Sequence, residues 1–220
     1  MEDKLTISDI AEGLRGHRPE PVGRYRFFSV LLPLVEKGGE LCVLYEVRAE
    51  DMDVQPGEVS FPGGAIEAGE TAQDAAVRET VEELCVPEGS VRVLQELNYL
   101  VTYSNFTLYC FLGTIDAAAL AAATPSAAEV KETFLVPLSW LLAHEPETYV
   151  NRVVPKPAED LPVRKLSKDG DYPWRTGKST VMIYTWPDPG TGEERVIWGL
   201  TARLTQDFVR LLKQRKEEAI

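Results

Sequence analysis

Positive charge is scarce in this chain. Its 220 residues carry 23 Lys and Arg against 35 Asp and Glu, a formal net charge of −12. A nucleic-acid partner needs a basic face to neutralise phosphates, and this balance excludes a broad one. Cysteine is nearly missing as well. Cys42, Cys85 and Cys110 are odd in number and contain no CxxC pair. A disulfide framework and a structural zinc site are therefore not expected, the thiols read as small buried hydrophobes, and a reducing cytoplasm fits. Histidine occurs only at His17 and His144, both in polar stretches that give no catalytic context. No apolar run approaches the ~20 residues of a membrane span, so no membrane contact is expected. Met1 to Leu5 lacks the basic and then apolar regions of a signal peptide. What remains is an acidic chain, 44% hydrophobic, with enough apolar residues for a proper core. A single domain over residues 1–220 is expected.

The pattern along the chain alternates strands and helices irregularly. Thr6 and Asp9 have capping-box spacing, which predicts a helix over about 7–15, ended by Pro19 and Pro21. Tyr25 to Val35 and Glu40 to Val47 read as strands joined by a Gly38-Gly39 turn. A polar loop follows, then a short strand at Val59 to Phe61 that Pro62-Gly63-Gly64 is expected to break. Thr71 to Leu84 is a helix. Strands are expected at Ser90 to Leu97, Asn105 to Ile115 and Glu132 to Val136. Pro137 to His144 starts with proline and reads as a short helix. Residues 145–178 carry little periodicity and read as an ordered excursion. A hairpin is expected from Ser179 to Trp198, and Leu200, Leu204, Phe208 and Leu211 have helical spacing. The class is mixed α/β.

The chemistry lies in residues 64–86, GAIEAGETAQDAAVRETVEELCV. Thr71 can cap the helix with Asp74 as its reciprocal partner. At ~100° per residue, Glu79, Glu82 and Glu83 share one face, and Val77, Val81 and Leu84 share the opposite one. The acidic face is expected to look away from the sheet. Like charges three and four residues apart repel, and a bound cation removes that penalty. Oxygen ligands of this kind select magnesium, manganese or calcium over zinc or copper. Gly63-Gly64 lets backbone approach closely, so a carbonyl can add a further oxygen.

This stretch resembles the Nudix box, G-x5-E-x7-R-E-U-x-E-E-x-G-U, where U is bulky and aliphatic. Gly64, Glu70, Arg78, Glu79, Glu82, Glu83 and Val86 match at the right spacing. Thr80 stands where an aliphatic residue is usual, but its branched side chain can still face the core. Cys85 stands where glycine is usual, so the helix exit is expected to differ in shape. On this pattern the chain is identified as a member of the Nudix hydrolase superfamily. The resemblance implies a mixed β-sheet sandwiched between α-helices, and hydrolysis of a nucleoside diphosphate linked to another moiety. It also implies Mg2+ or Mn2+ held by Glu79, Glu83, Glu82 and the Gly64 carbonyl. Glu82 is the third ligand or the base that positions water, and Glu70 and Arg78 are the pair that orients the helix. Many relatives recruit a further acid from a distant loop, and Glu129 is the candidate here, with Glu132 as competitor.

Upstream, residues 41–64 read LCVLYEVRAEDMDVQPGEVSFPGG. They resemble the segment before the box in coenzyme A pyrophosphatases, roughly LLTxR[SA]xxxRxxxGxxxFPGG. Leu44, Arg48, Ala49, Gly57 and Phe61 to Gly64 match, while Asp53 sits where the pattern has arginine. The resemblance implies a coenzyme A-like nucleotide substrate, with Arg48 as a phosphate-binding residue. Asp53 argues against tight binding of the 3′-phosphate. The similarity spans about residues 25–212. The poorly matched stretch 145–195 is the candidate surface for a homodimer. Two other readings stay open: an ADP-ribose, NADH or other nucleotide pyrophosphohydrolase, and a non-catalytic ligand-binding module. The intact set of crowded carboxylates speaks against the last.

Overall fold

The Gly38-Gly39 turn closes the expected hairpin, and the way its two strands then part company builds the rest of the fold. In a computed structural model that describes residues 5–170 and 172–218, β1 is Arg26–Lys37 and β2 is Glu40–Arg48. They pair only near the turn, from Leu34↔Val43 to Lys37↔Glu40. Beyond that point β3 (Val59–Ser60) pairs with β2, and β4 (Gly63–Ala65) pairs with β1. The outer edges are already taken. β7 (Phe106–Ile115) runs parallel to β1, and β8 (Val130–Pro137) runs antiparallel to β2. The segment 59–65 is therefore wedged into the opening between β1 and β2. The expected break is present but falls at Phe61-Pro62: β3 ends at Ser60, and Gly63-Gly64 begin a new strand on β1, which offers free ladder groups there. β5 (Val91–Glu96) and β6 (Leu100–Val101) add to β7.

Alternation along the strands gives this mixed sheet two buried faces. Leu31, Val35 and Leu44 face α2 (Ala72–Leu84), packing against Ala76, Leu84 and Val86. Leu32, Leu34, Val43, Tyr45 and Val47 face the other way, toward α5 (Gly199–Glu218) and a second sheet. That sheet has the order β11-β10-β9, from β9 (Glu147–Val153), β10 (Gly177–Pro187) and β11 (Glu194–Trp198). Tyr184, Trp186, Ile197 and Phe208 join its core to the main one, and Phe134 stacks on Trp186 at 5.9 Å. Arg195 fixes the layers together through a two-pronged ion pair with Glu132, at 2.7 and 3.0 Å. The architecture is the expected helix-covered mixed sheet, with the small sheet sharing the second layer with α5. The stretch 145–195 supplies that small sheet and so no longer stands unexplained.

Among the described residues three short α-helices accompany α2 and α5: α1 (Ile7–Gly13), α3 (Ala117–Ala122) and α4 (Leu138–Ala143). The Thr6–Asp9 capping box forms as the sequence predicts. Among the described residues no helix is long and apolar enough to cross a membrane.

Candidate active site

Helix α2 begins as its sequence directs. The Thr71 hydroxyl oxygen accepts the Asp74 N–H at 3.2 Å and the hydroxyl itself donates to the Asp74 carboxylate at 2.6 Å, in place of the full reciprocal box. The helix ends at Cys85, which takes the left-handed conformation with φ 52°. The expected change of shape at this exit is thus corrected: Cys85 adopts the backbone that glycine favours, with the steric strain of its Cβ. Cys85 is also exposed, unlike the buried Cys42 and Cys110. Thr80 is fully buried, and its hydroxyl donates to the Ala76 carbonyl at 2.7 Å.

The acidic face needs a larger correction. Glu82 is exposed, but Glu83 is buried at 4% exposure, alongside Ala76, Thr80 and Leu84. Val77 and Val81 are only half-buried. The helix thus turns one of its carboxylates into the molecule, over the wedge. There the Glu83 Oε2 accepts the Gly63 N–H at 2.8 Å.

Arg78 is the hub of the remainder. Its Nε and Nη2 hold the two oxygens of Glu70 at 2.8 and 3.1 Å. Nη1 reaches Glu79 at 2.9 Å and Glu82 at 3.1 Å, and Nη2 also reaches the Ala65 carbonyl at 3.1 Å. Five N–H donors are used in five bonds. Glu70 is held below the ordinary carboxylate range, chiefly by its bond to Arg78, and Arg78 is raised by the same bond. The expected Glu70–Arg78 pair is therefore present, and it also gathers Glu79 and Glu82. Gly64 explains itself here: a Cβ at this position would lie 2.3 Å from the Glu79 Oε1. Only a residue without a side chain lets that carboxylate rest on the strand.

Sequence reasoning missed Glu46. It lies on β2 with 0% exposure, on the same sheet face as Leu44 and Arg48. Ser60 donates to its Oε1 at 2.9 Å, while its Oε2 is buried with no partner. Burial raises the pKa of Glu46, and the charges of Glu129 and Glu79 add to the shift; Ser60 and Arg48 oppose it. Glu83 is raised by burial first and by the charge of Glu46 next. Glu79 is raised by burial against the pull of Arg78. The charges of Glu79, Glu83 and Arg48 thus act on one another or on Glu46, and the wedge links Glu46 and Glu83 directly, through Ser60 and Gly63. A signal was available, because the upstream pattern has threonine where this chain has Glu46.

The structure separates the two competing loop acids. The charge of Glu129 is felt at Glu46 and Glu79, whereas Glu132 is taken up by Arg195 on the other side. Arg48 is half-buried with its Nε 3.4 Å from the Val54 carbonyl, and Asp53 is exposed on the loop beyond.

Hard carboxylate oxygens, a glycine cradle and an orphaned buried oxygen suit a hard divalent cation. Among the described residues no three acidic, histidine or cysteine side chains already surround one point, since Glu79 and Glu82 are turned onto Arg78.

Comparison with known proteins gives the family. The NUDIX domain family matches residues 26–156. The peroxisomal coenzyme A diphosphatase NUDT7 of Mus musculus is 31% identical over 178 residues, 80% of this chain and 66% of that protein. The mitochondrial coenzyme A diphosphatase NUDT8 of Homo sapiens is 30% identical over 84% of this chain and 68% of its own length. The Nudix hydrolase NudL of Pectobacterium atrosepticum is 28% identical over 89% of this chain and 87% of its length. The chain thus spans about two thirds of the length of the mouse and human relatives. From the family match over most of the main sheet, and from the box residues gathered around Arg78, the chain belongs to the Nudix hydrolase family.

Proposed function

We propose that this protein hydrolyses the diphosphate linkage of coenzyme A or a coenzyme A thioester, giving 3′,5′-ADP and the (acyl)phosphopantetheine, with Mg2+ or Mn2+. The observation that carries this reading is the set of carboxylates fixed by Arg78 above the Gly63-Gly64 strand. Glu79, Glu83, Glu82 and the Gly64 carbonyl hold the cation. When bound, the cation screens the diphosphate and acidifies the attacking water. Glu70 and Arg78 orient the helix side chains, and the two-pronged pair fixes their direction. Water forms a bond to one phosphorus while the bond from that phosphorus to the bridging oxygen breaks. The proton goes to Glu82, the most solvent-open of the three helix acids, or to Glu129.

Coenzyme A is favoured over other nucleotides by the similarity to the mouse and human coenzyme A diphosphatases and by Arg48, whose charge is felt at Glu83 and Glu46. A guanidinium there suits either the diphosphate or the 3′-phosphate. Three free cysteines fit a reducing compartment, and the cytoplasm is our reading. The test is kcat/KM for coenzyme A, dephospho-coenzyme A, ADP-ribose and NADH, with and without Mg2+. If ADP-ribose or NADH exceeds both coenzyme A forms by more than about tenfold, about 1.4 kcal/mol, the coenzyme A reading fails and the family assignment stands. Asp53→Arg is expected to shift preference toward coenzyme A over its dephospho form by several-fold, an exposed charge effect under ~1 kcal/mol. An unchanged ratio would mean that residue 53 does not face the 3′-phosphate.

A further inference from the structure

The least explained group in the molecule is the Glu46 carboxylate. A buried carboxylate without a cation or full hydrogen bonding is costly, and natural folds retain one where something compensates it. Glu46 is fully buried, and its Oε1 is served by Ser60 while its Oε2 has no partner. The register explains where it points. Glu46 stands opposite Ser60 on β3 and Thr133 on β8, on the sheet face that α2 covers. Directly along the wedge from Ser60 is Gly63, whose N–H already fixes the buried Glu83. Arg48 lies two residues on along the same strand face, but it makes no hydrogen bond to Glu46 and leaves Oε2 free. The wedge thus ties a buried acid of the sheet, through Ser60, and a buried acid of the helix, through Gly63, and neither makes an ion pair among the described residues. The upstream pattern has threonine at this register, a residue that would leave no such charge.

We propose that Glu46 is a further oxygen donor of the divalent-cation site, shared with Glu83. This rests on the cation-dependent reading above and adds to it a ligand from outside the box. A cation between the two carboxylates would remove both the repulsion and the unpaired charge. It would also tie α2 to β2, so cation binding would stiffen the contact between helix and sheet.

The test uses the full chain and Mn2+ alone, without substrate. Free Mn2+ is measured by electron paramagnetic resonance, and melting temperature is followed with and without the ion. Wild type is compared with Glu46→Gln, Glu46→Thr and Glu83→Gln. Glutamine keeps the shape and the Ser60 bond but loses the charge, and threonine restores the residue of the pattern. Both Glu46 variants are expected to weaken the Mn2+ Kd by about tenfold or more, in the range seen when groups supporting a metal are removed. Their metal-free melting temperatures should match or exceed wild type, and the rise on adding Mn2+ should shrink. If Glu83→Gln weakens Mn2+ binding while both Glu46 variants stay within about twofold of wild type, Glu46 is no ligand and the box reading stands. If wild type binds no Mn2+, or Glu83→Gln leaves binding unchanged, the cation reading itself fails and this inference with it.

Discussion

The two faces of the main sheet are held by opposite means. On one, α2 sits over carboxylates and an arginine, and two acids, Glu46 and Glu83, are buried beneath it. On the other, α5 and the small sheet are fixed by aromatic and aliphatic packing. There Tyr45 stacks between Phe61 and Phe134, and its buried hydroxyl meets Thr205 at 3.0 Å. Apolar burial contributes most to stability, whereas uncompensated buried charge costs it. On the proposed function, the difference gives stability to the α5 face and chemistry to the α2 face, and each assignment can be broken by substitution.

The largest effect belongs to the packed face. Trp186→Ala removes a ring that is buried against Phe134, so unfolding free energy should fall by ~3–5 kcal/mol in denaturant titration. Turnover per folded molecule should be unchanged; a parallel loss of turnover would show that the two faces are not independent. Next come Glu79→Gln and Glu83→Gln. Each should lower kcat at saturating Mg2+ by ~10²–10³ with an unaltered circular dichroism spectrum. Glutamine at position 83 can still accept the Gly63 N–H, so the metal-free protein should melt no lower than wild type. Near wild-type turnover in both would remove the chemistry from this face.

A smaller effect sharpens how the charged face is organised. Arg78→Ala and Glu70→Ala disturb one two-pronged pair, so their losses in kcat/KM should overlap, with a coupling of ~0.5–3 kcal/mol in a double-mutant cycle. Strict additivity would separate the two residues. The smallest effect is at the helix exit. Cys85→Gly relieves the left-handed strain, partly offset by a freer unfolded chain, for a net gain on the order of 1 kcal/mol in denaturant midpoint. A loss would show that the thiol's contact with the Glu82 carbonyl, at 3.5 Å, matters more than the strain.

The comparison also shows what a sequence reveals. The α2 start was legible because Thr71 and Asp74 announce it locally, and the Glu70–Arg78 pair was legible because the resemblance to the box implies it. Glu83 was assigned to the wrong side because a helical wheel sorts residues by polarity, and an active site is where a polar residue is turned inward. Glu46 escaped notice for a similar reason. In the run Leu41 to Arg48 the single acid, Glu46, reads as solvent-facing, and only the helix packed above makes it buried. β9 has no apolar alternation, since all but one of its residues are exposed, so only its ladder with β10 defines it. β4 and β6 are too short to carry a pattern and exist because partner strands offer them bonds.

The wedge formed by residues 59–65 has a consequence for how this enzyme can change. Its glycines are laddered to β1 and its Val59 and Ser60 to β2, so the floor of the site is part of the scaffold. The exposed segment 50–58, by contrast, leaves from the tip of β2 and returns to β3 with both its ends fixed by backbone bonds between Arg48, Gly57 and Glu58. Insertions or exchanges within that loop leave the floor where it is. On the proposed function, selection can act on which nucleotide is admitted while the bond-breaking apparatus is inherited unaltered, and Asp53 lies in the exposed loop.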